Sequence, residues 1–175
     1  MIIVIQGSLN ENSRTAIVVQ ETVKHLKEQN IEHELIDLRE HELPFCNSPK
    51  IETYDENTQA LYKKLEKAKG YIIGMPVYQY SVSGVVKNFI DLMAGAMYYK
   101  PVGIICNSGG VRSYLASAEL MKSLSFEVWS ICVQPTIHTW SGDFEDGKIK
   151  NDKAIAKLPI MVENVLRYSK VEAAH

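Results

Sequence analysis

The chain begins Met1–Thr15, MIIVIQGSLNENSRT. Ile2–Ile5 is a short continuous apolar run, the pattern of a strand buried on both faces, and the strand is expected to span Ile2 to Gln6. Directly behind it, Gly7–Thr15 carries three hydroxyls (Ser8, Ser13, Thr15), two amides (Asn10, Asn12) and Arg14. Apolar residues then recur at Ile17, Val18, Val23 and Leu26, so Ser13 to Gln29 reads as a helix with one buried stripe. A buried strand that feeds a helix through a polar loop is the opening of an α/β repeat.

The same alternation continues outward. Glu34–Leu38 reads as a second strand. Arg39 to Glu52 is a long loop marked by Pro44, Asn47, Ser48 and Pro49. Asn57–Lys69 is a second helix and Gly70–Gly74 a third strand. A loop from Met75 to Ser83 leads to a helix over Gly84–Ala96 with Val85, Val86, Phe89, Ile90 and Met93 on its apolar side. Pro101–Asn107 reads as the fourth strand, Arg112–Leu124 as a helix and Glu127–Val133 as the fifth strand. Gln134 to Gly147 reads as irregular, and Lys153–Tyr168 as a closing helix that Pro159 kinks or splits. The pattern demands a parallel sheet with helices on both faces, in one domain over residues 1–175. Ligands of such sheets bind beyond the carboxyl ends of the strands, at the switch point of strand order.

Composition narrows the partners. With a net charge of −2, nothing suggests an electrostatic grip on nucleic acid or an anionic membrane. No apolar run reaches the roughly 20 residues of a membrane span. The N-terminus is apolar without a basic leader and reads as a strand, not a signal peptide. Cys46, Cys106 and Cys132 lie far apart without CxxC spacing, which argues against a disulfide framework or a metal cluster. They are expected to be reduced thiols of a cytoplasmic protein, Cys106 and Cys132 as core residues.

Three loops follow strands on the ligand side. The first, Gly7–Thr15, brings hydroxyls to a helix start, where unpaired N–H groups and the helix dipole attract phosphate. An ordinary N-cap at Ser13 is the alternative. GxxxxGK[ST] and GxGxxG are both absent, and the loop has no cysteine nucleophile. What remains is a loop that holds a phosphate without cleaving it. The second, Gly74–Gly84, offers Pro76, Tyr78 and Tyr80 as a wall for a flat heteroaromatic ring, or two surface tyrosines in a long turn. In the third, Asn107–Arg112, Gly109 and Gly110 permit close backbone approach to a ligand, or make a tight turn.

Together the loops resemble the NADPH-dependent FMN reductases of flavodoxin-like fold, with their azoreductase-like and quinone reductase-like members. Of a first motif GSxRxxSxN, Gly7, Ser8 and Ser13 match, while Asn10 stands for the arginine and Thr15 for the asparagine. Of a second, PEYNxSxPGxLKNxID, the matches are Pro76, Tyr78, Ser81, Gly84, Lys87, Asn88, Ile90 and Asp91. Val77, Gln79, Ser83 and Val86 depart from it. The resemblance implies a flavodoxin-like three-layer α/β/α sandwich, its five parallel strands in the order 2-1-3-4-5. It also implies that Ser8, Asn10, Ser13 and Thr15 hold the phosphate of bound FMN; Arg14, close in the same loop, is the candidate to compensate for the missing arginine. Pro76, Val77, Tyr78 and Gln79 would border the isoalloxazine, and Ser108, Gly109 and Gly110 its pyrimidine edge.

On this reading NADPH or NADH reduces the flavin, which passes electrons to a small-molecule acceptor: a flavin, a quinone or an azo compound. No catalytic side chain and no metal are required. The resemblance puts the Gly84–Ala96 helix at a dimer interface, in a homodimer or homotetramer; Lys87 and Asp91 equally suit an exposed pair. His138 either faces the flavin or is structural. A flavodoxin-like electron carrier without turnover remains the alternative, as does a fold that has lost its flavin.

Overall fold

The computed structural model describes residues 1–48 and 50–170. Pro49 and the last five residues of the expected 1–175 domain lie outside them. The strands are β1 (Ile2–Gln6), β2 (His33–Asp37), β3 (Gly70–Tyr78), β4 (Ser81–Val82), β5 (Pro101–Ser108), β6 (Ile131–Cys132), β7 (Ile137–Trp140), β8 (Phe144–Glu145) and β9 (Lys148–Ile149). The helices are α1 (Arg14–Glu28), α2 (Glu56–Glu66), α3 (Gly84–Met93), α4 (Ser117–Glu127), α5 (Asp152–Ile155) and α6 (Leu158–Tyr168).

The main sheet runs β2-β1-β3-β5-β6, with β7 pairing β5 beyond β6. These pairings are all parallel, and β4 alone returns antiparallel along β3. The sheet is buried on both faces. Ile3, Ile5, Ile73, Ile104 and Cys106 face a core shared with α2, α3 and α4, while Ile2, Val4, Ile72 and Ile105 face one shared with α1 and α6. This is the expected three-layer sandwich in the expected strand order, with β6 and β7 sharing the fifth position.

That fifth position departs from the expectation of a strand over Glu127–Val133. Instead α4 continues to Glu127, and Val128 caps it through an N–H bond to Leu124 O. Trp129, at φ 51°, then turns the chain, which leaves only Ile131–Cys132 extended. Pro135 has no N–H to give a ladder, so pairing stops and resumes at Ile137. Gln134–Gly147, expected to be irregular, therefore contains the edge strand β7 and the first strand of the β8–β9 hairpin.

The third strand is also longer than expected. Met75–Tyr78 extend β3 instead of opening a loop, and β3 turns into β4 through Gln79 and Tyr80. By Pro76 the ladder to β1 has already ended at Gln6–Gly74, so the missing N–H interrupts nothing on that side. Arg112–Leu124 is not one helix: residues Val111–Ala116 form a 3-10 turn before α4 starts. Pro159 splits the closing helix as expected and occupies the first turn of α6. Cys106 is fully buried, whereas Cys132 is only partly so. Asn88 ties α3 to the Pro44–Cys46 segment, donating to Pro44 O and accepting from Cys46 N–H. Lys87 and Asp91 form the exposed i,i+4 pair. Among the described residues, no helix is long and apolar enough to cross a membrane.

Candidate functional site

Two glycines let the first loop sit close over the sheet. A Cβ on Gly74 would meet Val19 Cγ2 at 2.4 Å, so α1 can lie against β3 only because that carbon is missing. A Cβ on Gly7 would meet Val86 Cγ2 at 2.3 Å and Gly74 O at 2.6 Å. The N-terminus of α1 is thereby brought to the carboxyl ends of β1 and β3.

Gln6, the last residue of β1, shapes the loop. Its Nε2 donates to Ser8 O at 2.8 Å and to Asp37 Oδ1 at 3.0 Å, while its Oε1 accepts from Ser8 N–H at 2.6 Å. Asp37 at the end of β2 is held in turn by Arg39, whose Nε lies 2.9 and 3.1 Å from its two oxygens. Burial alone would raise the Asp37 pKa. Hydrogen bonds from the Arg39 guanidinium and backbone, the Arg39 charge and the Gln6 amide together outweigh it and hold the carboxyl below its ordinary value.

The loop then turns on its own side chains. Ser8 Oγ accepts from Asn10 N–H at 3.4 Å, and Asn10 Oδ1 accepts from Asn12 N–H at 2.8 Å. Ser13 is the N-cap, accepting from Ala16 N–H at 3.0 Å, which is the ordinary capping alternative for that serine. Arg14 N–H and Thr15 N–H have no protein acceptor among the described residues. Thr15 is 1% exposed, and its hydroxyl likewise lacks a protein partner.

In the second loop Gln79 and Tyr80 both have positive φ, 50° and 62°, as a two-residue hairpin turn requires. Neither is the glycine or asparagine that suits this geometry. Tyr80 OH anchors the turn by donating to Arg112 O at 2.7 Å. The third loop has its carbonyls held from three elements. Ser108 Oγ donates to Gly110 O at 2.8 Å, Ser141 Oγ donates to Gly109 O, and Tyr80 takes Arg112 O. Asn107, 8% exposed, donates to Thr139 Oγ1 at 2.8 Å; its own Oδ1 has no partner among the described residues.

The three loops converge on one cleft of about 280 Å³. It is lined by all the sequence-predicted site residues except Gln79 and Gly110, and additionally by Asn12 and Asn107. Gln79 sits at the hairpin tip; Gly110 contributes its carbonyl to the loop's own fold. The lining contains one cation, Arg14, and no carboxylate. Its chemistry is that of hydroxyls, amides and free helix N–H groups, which suits an anionic ligand with a polar chain. The donor set thus fits a flavin mononucleotide. The sequence does not single out Gln6, Asp37, Arg39 or Asn107, and it names Asn12 only as one of the first loop's amides. A polar Gln6 ending an apolar strand was the one local signal.

The family model for NADPH-dependent FMN reductases matches residues 1–144. This chain belongs to that family. The FMN-dependent NADPH-azoreductase of Staphylococcus aureus is 36% identical over 156 residues, covering 83% of this chain and 81% of that one. Its counterpart from Staphylococcus saprophyticus is 31% identical and covers 96% of this chain and 94% of its own. Among solved structures, the flavoenzyme NAD(P)H:(acceptor) oxidoreductase FerB of Paracoccus denitrificans aligns over 97% of this chain and 96% of its own. Its TM-score is 0.75 at 22% identity, a likeness of fold. With the family comes the class of chemistry: the FMN reductase is an NAD(P)H-dependent flavin oxidoreductase.

Proposed function

We propose that this FMN reductase holds FMN in the three-loop cleft and carries electrons from NADPH or NADH to a small apolar acceptor such as a quinone, a flavin or an azo compound. The observation that carries the reading is the cleft's lining, with unpaired hydroxyl and N–H donors, one arginine and no carboxylate. Bound flavin supplies the hydride and electron chemistry. The chain supplies the rest. Arg14 N–H, Thr15 N–H and the Ser8 and Thr15 hydroxyls bind the phosphate, with Arg14 as its countercharge. Pro76, Val77 and Tyr78 wall the ring; Ser108 and Gly109 meet its polar edge, with Gly110 bracing that turn from behind. A cavity of about 550 Å³ adjoins the cleft through Tyr78. Leu9, Leu43, Phe45 and Val85 give it an apolar side that suits a flat acceptor, while Arg39, His41, Glu42 and Asn88 line the rest.

On the same reading the enzyme is a cytoplasmic homodimer or homotetramer, with the whole chain as one functional domain. Purified protein should show the visible absorbance of oxidised flavin and oxidise NADPH in the presence of a quinone or azo dye. A colourless chain that cannot be loaded with FMN refutes the reading. A loaded chain without turnover makes it an electron carrier instead. Arg14→Ala should weaken FMN binding about tenfold, the size of one charge-assisted hydrogen bond, as measured by flavin fluorescence titration. Equal retention by wild type and variant assigns the countercharge elsewhere.

A further inference from the structure

One of the holds on the third loop ends on an ionisable group. Ser108 Oγ donates to Gly110 O and lies 3.1 Å from His138 Nε2. A serine hydroxyl has one proton, so while it serves Gly110 the imidazole must be the donor at the other contact. A protonated imidazole always meets that requirement. A neutral one has a second tautomer with Nε2 bare, in which the serine turns its proton to the ring and Gly110 loses its donor. The charge on His138 and the hold on the Gly109–Gly110 turn are therefore linked.

We infer that His138 is a positioning residue that takes up a proton as electrons enter the site, and through Ser108 fixes the Gly109–Gly110 turn against the ring. The inference rests on the FMN placement proposed above. A hydride from NAD(P)H brings two electrons and one proton, leaves NAD(P)+ behind and adds one negative charge to the cleft. His138 balances that charge by taking one further proton from water. Its Nε2–H then donates to Ser108, whose proton stays on Gly110 O. When the electron pair leaves for the acceptor, His138 releases that proton, to the acceptor or to water.

The surroundings suit this. Burial lowers the His138 pKa, and Asp143, fixed by accepting Trp140 N–H at 2.9 Å, works the other way. Tyr114 covers the imidazole edge-to-face, ring centroids 6.5 Å apart. Cys106, its register partner on β5, is a neutral thiol pushed up to about 12 by burial. Burial thus favours the neutral imidazole, and added negative charge would favour the protonated one.

Two measurements on FMN-loaded protein test this. The first is the titration of the His138 imidazole by nitrogen NMR, in the oxidised and in the dithionite-reduced protein. Proton affinity should rise at least about tenfold on reduction, one unit of pKa. The second is the pH dependence of the midpoint potential. It should be steeper in wild type than in His138→Gln, which can still donate to Ser108 but cannot titrate. An unchanged imidazole titration in loaded protein overturns this inference alone, and wild type suffices for that result. A chain that cannot be loaded with FMN overturns it together with the reading beneath it.

Discussion

Gln6 occupies the one polar position of β1, and its amide is fully spent on Ser8 and Asp37. Gln6→Ala would leave a buried N–H, a carbonyl and a carboxylate short of a partner. It should destabilise the protein by about 2 kcal/mol in urea denaturation, and FMN affinity should fall with it. Asp37 gives the same network a pH dependence. Its pKa is lower folded than the ordinary 3.8, so the stabilisation is fully present above 3.8. It is lost as pH falls through the folded value. The urea midpoint of wild type should drop below pH 3.8 more steeply than that of Asp37→Asn. Ser8, Ser13, Thr15 and Arg14 were legible in the sequence because a cluster of hydroxyls behind a buried strand is a local signal. Asp37 was not, because its partner Gln6 lies 31 residues away and only the parallel register sets them side by side. Asn107 was hidden for the same reason, since Thr139 is its partner across β5 and β7.

At the scale of elements, the position of α1 follows from the missing Cβ of Gly74. Gly74→Ala should push Val19 and the helix outward, at about 1–3 kcal/mol of stability. FMN affinity should fall more than in a surface variant of equal stability, because the helix N-terminus moves with it. Thermal melts paired with fluorescence titration would show this. The sequence made β1, β2, β5 and α1 legible because each is a single uninterrupted pattern. The fifth strand failed because its β-forming residues, Val128 and Trp129, were taken by the helix cap and the turn. The true edge strand, Ile137–Trp140, alternates buried and half-buried residues over only four positions, too short to stand out among turn residues. Pro76 lies inside the longer β3. A proline ordinarily closes a strand, but here β3 passes it because β1 has ended.

For the whole molecule, the two apolar cores lie on the faces of the sheet, and the cleft lies past the carboxyl ends of its strands. Ligand and fold are then linked by mass action. At a hundredfold excess of FMN over its Kd, loading should stabilise the native state by about 2.7 kcal/mol and raise Tm by roughly 5 to 10 °C. Riboflavin, without the phosphate, should give a much smaller shift; equal shifts would remove the phosphate from the reading. The clamp of Gln6 on both backbone groups of Ser8 also has a consequence in time. The first loop is already shaped without a ligand, so if it holds FMN as proposed, encounter, and no folding step, should govern how fast FMN enters. Substitutions around the cleft then act chiefly on how long it stays.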